Sequence, residues 1–209
     1  MKIIKPYYEI MDNIDGQSVL KKIEQCGRVC YKSEEKMTDK SSSGFVSAII
    51  KRGHESVLEH FSFTVRFVCD RGISHEIVRH RLASFSQEST RYCNYSKKGF
   101  DSEIVVIEPC FFEKGTQEYL SWYSGCCTAE EEYFNLLKNC SPQEARSVLP
   151  NSLKTEIIMT ANLREWRHFL RLRTAISAHP QIREITIPLL EELKQRIPIV
   201  FADILSEGK

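Results

Sequence analysis

The residues best equipped for chemistry gather in one stretch, RGISHEIVRHRLASFSQESTRY, residues 71–92. Arg71, Arg79, His80, Arg81 and Arg91 stand there among the hydroxyls of Ser84, Ser86, Ser89 and Thr90, with only Glu76 and Glu88 as counter-charges. A guanidinium offers a planar fork of donors that suits a phosphate bidentately. Hydroxyls and loop amides complete a cradle for an anion. The chemistry on offer is anion binding. The plainer reading is a solvated turn whose arginines pair with Glu76 and Glu88, and a short charged motif does not by itself separate the two.

A second cluster, ANLREWRHFLRLR, spans residues 161–173. On a helix, Arg164, Arg167, His168 and Arg171 recur at spacings of three and four and make one cationic stripe. Trp166, Phe169, Leu170 and Leu172 supply the apolar side. Arg173 lies about two and a half turns from Arg164, so the helix offers donors in two directions. Glu165 is the sole local counter-charge, and an unpaired row of arginines calls for solvent or an anion. A third stretch, HESVLEH, holds His54, Ser56, Glu59 and His60. It lacks the helical H-E-x-x-H spacing of a zinc site, so hydrogen bonding is the expected role and no metal is expected. His54 and Ser56 can line a pocket at the mouth of the strand that follows.

Nothing here marks a nucleophile. There is no G-x-S-x-G elbow, no phosphate-binding P-loop and no G-x-G-x-x-G fingerprint. No cysteine, Cys93 beside the first cluster included, has an activating context. Cations and hydroxyls without a nucleophile suit a protein that positions phosphorylated ligands while a cofactor carries the reaction.

These side chains need a scaffold. Asp15 precedes a helical pattern carrying Val19, Leu20, Ile23, Cys26 and Cys30 on one face. SSSGFVSAIIKRG predicts a helix stopped by Gly53. FSFTVRFVC alternates cleanly and predicts a strand, with Phe61, Phe63, Val65, Phe67 and Cys69 on one side. A short helix is expected over 73–79, a loop from Ser84 to Tyr95, with Ser89 and Arg91 alternating on extended chain, and a short strand in EIVVIEP. Helices are expected over 117–137 and 163–175, with a strand in LKTEIIMTAN between them. A last amphipathic segment runs to Arg196, interrupted or started by Pro188. Strands and helices mix without β-α-β regularity, which predicts a mixed α/β, or α+β, domain.

Composition narrows the class. The chain has 209 residues, 42% hydrophobic and 27% charged, and a net charge of +1. One domain over 1–209 is expected, with no overall field drawing it to nucleic acid or a membrane. No apolar run approaches the roughly 20 residues of a membrane span. The N-terminal sequence lacks a signal peptide's apolar core and cleavage site, so a cytoplasmic location is expected. The eight cysteines show no paired C-x-x-C spacing and read as reduced, mostly buried thiols.

Arg79-His80-Arg81 followed after seven residues by Ser89 resembles the signature of the flavin-dependent, or alternative, thymidylate synthases. RGISHEIVRHR, HESVLEH, ARSVLP and NLREWRHFLRLR resemble further segments of that family in the same order, roughly from Cys26 onward. The resemblance implies a single mixed α/β domain with a mostly antiparallel sheet flanked by helices. It implies conversion of dUMP to dTMP, with methylenetetrahydrofolate as carbon donor and NADPH reducing a bound FAD. It implies a homotetramer with FAD at subunit interfaces, and no partnership with nucleic acid or membrane. Carried over by position, Ser56, Arg79, His80, Arg81, Asn162, Arg164 and His168 resemble FAD contacts. Glu76, Arg79, Gln87, Glu88, Ser89, Arg91, Arg146 and Arg173 fall at dUMP-binding positions. Arg173 matches the arginine credited with activating the uracil ring. Some members carry Glu at the position of Gln87 and Asn at that of His168. The residues alone leave a nucleotide- or RNA-binding module as an alternative, which steep salt dependence of RNA affinity would favour. A purely structural protein would bind no flavin.

Overall fold

The computed structural model describes residues 1–97, 99 and 102–205. In chain order the elements are β1 (Lys2–Ile4), β2 (Tyr7–Ile10), α1 (Gly16–Val29), α2 (Ser41–Lys51), β3 (Ser62–Asp70), α3 (Arg71–Ile77), β4 (Ala83–Gln87), β5 (Val105–Ile107), α4 (Gln117–Leu136), α5 (Pro142–Ala145), β6 (Lys154–Asn162), α6 (Leu163–Arg173), α7 (Pro180–Arg196) and α8 (Pro198–Phe201). Short 3-10 turns occupy Glu34–Lys36, Glu55–His60 and Arg146–Val148.

Side-chain oxygens start the helices by accepting otherwise unpaired amides of the first turn. Asp15 accepts from Ser18 N–H at 3.0 Å, Asp70 from Ile73 N–H at 2.7 Å and Asn162 from Glu165 N–H at 2.9 Å. Gly53, at φ 71°, ends α2. Its amide donates to the Ile50 carbonyl and that of His54 to the Ile49 carbonyl, both at 3.0 Å, a pairing that needs a left-handed residue at position 53.

The main sheet is antiparallel and mixed with helices, as the resemblance implies, with strand order β2-β3-β6-β4. A separate parallel pair joins β1 to β5, with Lys2 opposite Val105. By contacts the chain forms two compact units, neither a continuous piece of chain. The first comprises residues 1–7, 67–79 and 85–158, and the second 8–66, 80–84 and 159–209. In the first, Tyr95, Ile104, Val106, Cys126, Tyr133, Ala145 and Leu153 form a buried cluster. In the second, Trp166 stacks on Phe63 with ring centroids 4.8 Å apart, and its indole N–H donates to the Phe63 carbonyl at 3.1 Å.

Several expectations are corrected. Residues 83–87 form an edge strand rather than a loop. Ala83, Phe85 and Gln87 are half-buried and Ser84 and Ser86 exposed, a period-two pattern that the serines disguise. Ser89 and Arg91 lie in a tight turn rather than on extended chain: the amides of Tyr92 and Cys93 both donate to the Ser89 carbonyl. The helix after β3 starts at Arg71, because Asp70 caps it there. α7 runs straight through Pro188. A helix-interior proline costs about 3 kcal/mol, and burial of Ile182, Ile185, Leu189, Leu190 and Leu193 outweighs that at about 1.5–3 kcal/mol each. All eight cysteines are free, but only Cys69 and Cys126 are buried, so the thiols are not mostly buried. β1 and β2 had no expected counterpart.

Candidate active site

In the first unit the anion-binding residues hang on α3 and on the turn after β4. The Gln87 Nε2 donates to Ser74 Oγ at 2.8 Å and to Thr155 Oγ1 at 3.3 Å. Glu88 is held on both carboxylate oxygens, by the Tyr95 hydroxyl at 2.9 Å and by Lys154 Nζ at 2.9 Å. Lys154 also reaches Glu156 at 2.5 Å, and these acceptors raise its pKa against the opposing effect of burial. Glu88 therefore does not neutralise the arginines of its own stretch, as the solvated-turn reading required. Ser89 Oγ accepts from the Arg91 amide at 3.3 Å and closes the turn. Arg91 Nε donates to Gln143 Oε1 at 3.2 Å, and Arg146 Nη1 to Thr90 Oγ1 at 3.4 Å. Both arginines are thus oriented by neutral partners and keep their full charge. Glu76 is half-buried on α3 and Arg79 is exposed just beyond its end.

In the second unit α6 works in two directions, as its sequence predicts. The stripe of Arg164, Arg167 and Arg171 is not left unpaired; carboxylates remote in sequence answer it. Arg164 meets Glu59 at 2.6 Å on the surface. Arg167 is wholly buried. It donates to both oxygens of Asp203 at 2.7 Å, to Glu55 Oε1 at 3.1–3.2 Å and to the Val200 carbonyl. Arg171 joins Asp203 at 3.1 Å. Arg167 is therefore a structural cation, while the exposed Arg164–Glu59 pair costs little to exchange for another anion.

The other face of α6 receives His80. Arg173 Nε donates to His80 Nε2 at 3.0 Å, and His80 Nδ1 lies 3.3 Å from Glu165 Oε1. Phe169 packs edge-on against the imidazole at 4.8 Å and His168 at 5.7 Å between centroids. Burial, then the nearby Arg173 and His168, push the His80 pKa down to about 4. Burial raises that of Glu165. Asn162 is committed to capping α6. Among the described residues, the side chains of Arg79, Arg81 and Ser56 have no hydrogen bond or ion pair. Ser56 and His54 line a cavity of ≈ 500 Å³ with Arg28, Arg52, Lys36 and Phe45, in keeping with the pocket expected for them.

Ligand atoms of His80, Glu165 and His168 lie within 4.8 Å of one another, close enough for a metal by distance alone. The donor chemistry opposes one. A metal on Nδ1 of His80 moves the ring proton to Nε2, where it faces the Arg173 N–H, donor against donor. Burial and then Glu88 raise the pKa of Cys93, away from thiolate.

Reading by position missed Lys154, Glu55 and Asp203 as members of these constellations, and took Glu165 as a counter-charge to the arginines rather than a neighbour of His80. Only Glu165 carried a usable signal, its spacing of four from Phe169 and eight from Arg173 on one helix.

Comparison with known proteins places the chain in a family. A family model described as thymidylate synthase complementing protein matches residues 14–199. The flavin-dependent thymidylate synthase of Geobacter sulfurreducens is 38% identical over 184 residues, covering 84% of this chain and 78% of that protein. The one of Pyrococcus abyssi is 35% identical over 166 residues, covering 78% and 67%. Among solved structures, a UMP/dUMP methylase PolB from Streptomyces cacaoi, crystallised with 5-Br dUMP, gives a TM-score of 0.77 at 24% identity over 97% of this chain and 96% of that one. That likeness speaks for the fold. With the match running through the Arg79-His80-Arg81 signature and through α6 alike, the chain belongs to the flavin-dependent thymidylate synthase family.

Proposed function

We propose that the protein methylates dUMP to dTMP, taking its carbon from methylenetetrahydrofolate and its reducing power from NADPH through bound FAD. One observation carries the reading beyond family membership. The arginines fall into two kinds: Arg167 and Arg171 are spent on protein carboxylates, while Arg79, Arg81, Arg91 and Arg146 have no carboxylate partner among the described residues. Cations kept without a counter-ion suit ligands that bring phosphates. dUMP brings one and FAD two.

The donor set fits a flavin dinucleotide. Arg79, Arg81, the Ser56 hydroxyl and His168 are accessible donors, Arg164 is held only by a surface pair, and the cavity beside Ser56 adds Arg28, Arg52 and Lys36. Asn162 serves the same site through the helix start it fixes, and His80 through the Arg173 side chain it holds. When bound and reduced, FAD supplies the hydride. On the nucleotide side, Ser89, Arg91 and Arg146 hold the phosphate, with Arg79 shared. Gln87 and Glu76 read the nucleoside. Both oxygens of Glu88 are engaged within the protein, so its part is to hold the turn. Arg173 stabilises the deprotonated uracil ring, whose carbon then attacks without help from a thiolate. The raised pKa of Cys93 is consistent with that. We further propose a cytoplasmic homotetramer in which residues 1–209 act as one functional domain. No helix among the described residues is long and apolar enough to cross a membrane.

The test is the visible spectrum of the purified protein, followed anaerobically as NADPH and then dUMP are added. The expected result is an oxidised-flavin spectrum that bleaches with NADPH, and dTMP as product once methylenetetrahydrofolate is present. Arg173→Ala should abolish turnover and keep the flavin. A protein that takes up no FAD and ignores dUMP overturns the reading.

A further inference from the structure

We infer that Glu165 and His80 are positioning residues for Arg173: a buried carboxylate, a neutral imidazole and a guanidinium in series fix the direction in which Arg173 presents its charge. The inference rests on the functional reading above for Arg173 and goes beyond it for the other two.

The geometry runs from the inside outward. Glu165 and His80 are 6% and 5% exposed, so neither is a surface group that solvent can orient. An arginine Nε is a donor in every state. Its 3.0 Å bond to His80 Nε2 therefore requires that nitrogen to accept, which places the ring's one proton on Nδ1. That nitrogen lies 3.3 Å from Glu165 Oε1, a carboxylate on the side of the ring that carries the proton. Residues 165, 169 and 173 recur at intervals of four on α6. The imidazole is seated along that ridge, edge-on against Phe169 at 4.8 Å. The carbonyl of Arg173 lies 2.9 Å from the buried Thr186 hydroxyl, whose one proton it shares with the Ile182 carbonyl at the same distance. A long flexible side chain at the last residue of a helix thus has its guanidinium held at Nε. Removing its free rotation is what an arginine needs in order to act on one ring in one orientation. His80 has Nε2 bonded to Arg173 and Nδ1 beside Glu165, so its influence on flavin or nucleotide passes through Arg173.

Two measurements on the full-length protein test this. The first is the imidazole tautomer of His80, read from nitrogen-15 shifts without any ligand. The proton is expected on Nδ1 in the wild type, and Arg173→Ala should shift the ring toward a mixture. The second compares Glu165→Leu, which removes the acceptor, with Glu165→Gln, which keeps one. Misplacement of a catalytic group by even about 1 Å costs up to about a hundredfold. Glu165→Leu is expected to lower kcat for dTMP about tenfold or more, with FAD affinity and dUMP KM changed less than about threefold, and Glu165→Gln to lose clearly less. Should Glu165→Leu fail to fold, His80→Met against His80→Gln makes the same comparison at the next link. A wild-type Nε2–H tautomer, or equal kcat for the Leu and Gln variants, overturns the inference. A wild type that makes no dTMP overturns the functional reading alone, since the tautomer still decides whether the series exists.

Discussion

Ser74 accepts a hydrogen bond from Gln87 Nε2 at 2.8 Å while its own hydroxyl donates to the Arg71 carbonyl at 2.8 Å. A serine has one proton, and here it is committed. Position 87 must therefore bring a donor, which glutamine does and an ionised glutamate cannot. Gln87→Glu should destabilise the protein by about 1–3 kcal/mol near pH 8, the cost of a buried acceptor facing an acceptor. Ser74→Ala in the same background should recover part of it. Chemical denaturation of the three variants measures both, and an unchanged midpoint for Gln87→Glu would refute the account.

The two ways of pairing an arginine on α6 should differ in value. Asp203→Ala leaves the fully buried Arg167 with Glu55 and the Val200 carbonyl and is expected to cost about 2–3 kcal/mol, somewhat below the range for a wholly buried pair because Glu55 remains. Glu59→Ala breaks only the exposed pair with Arg164 and should cost less than about 1 kcal/mol. The sign with pH follows from Arg167, whose hydrogen bond holds the Asp203 carboxyl below its ordinary value of 3.8. Its stabilisation is fully present above that value and disappears as pH falls through the lower, folded one. Asp203→Asn should remove this part of the acid slope in a urea-midpoint series.

Lys154 offsets Glu88 and Glu156 beside the turn that carries Ser89 and Arg91. Lys154→Met leaves the Glu88 carboxylate, 13% exposed, with the Tyr95 hydroxyl alone. The expected outcome is weaker dUMP binding by about tenfold, since an uncompensated negative charge then faces the phosphate. Glu88→Gln in that background should restore it. Equilibrium titration with dUMP is the measurement.

His80 should stay neutral down to about pH 4. An unfolded histidine takes its proton near 6.5, so the native state loses stability on this account as pH falls from 6.5 toward 4. Glu165, whose carboxyl is raised by burial, contributes the opposite slope above its ordinary 4.5, and Arg173 and the His168 imidazole are the other groups facing the ring. A global melting curve mixes these effects. A nuclear magnetic resonance titration of the His80 ring isolates one, and protonation near pH 6.5 would contradict the buried seat.

The partnerless and the partnered arginines should separate in flavin titrations. Arg81→Ala is expected to weaken FAD by at least about tenfold, in line with about 1.5–3 kcal/mol for a charged hydrogen bond. Arg171→Ala, spent on Asp203, should change it less than about threefold. Equal effects would mean that bulk charge, not placement, holds the flavin.

What was readable in the sequence was local. Asp15 and Gly53 bound their helices as their chemistry dictates, the alternation of residues 61–69 became β3, and the periodicity of α6 separated Arg173 from the other arginines. What was not readable depends on residues distant along the chain. Glu55 and Asp203 turn an apparently unpaired arginine into a core residue across separations of 112 and 36. Nothing near position 167 announces either. β4 escaped notice because Ser84 and Ser86 favour loops by propensity, and pairing with β6 overrides that preference.

The parallel pairing of β1 with β5 has a consequence for synthesis. Lys2 finds its partner in Val105. At about 5–20 residues per second, β1 waits on the order of 5–20 s after leaving the ribosome before β5 exists. For that interval a short apolar strand has an open edge and no mate. Slower translation between the two strands prolongs the exposure, and a chaperone that binds extended apolar segments has its best opportunity there.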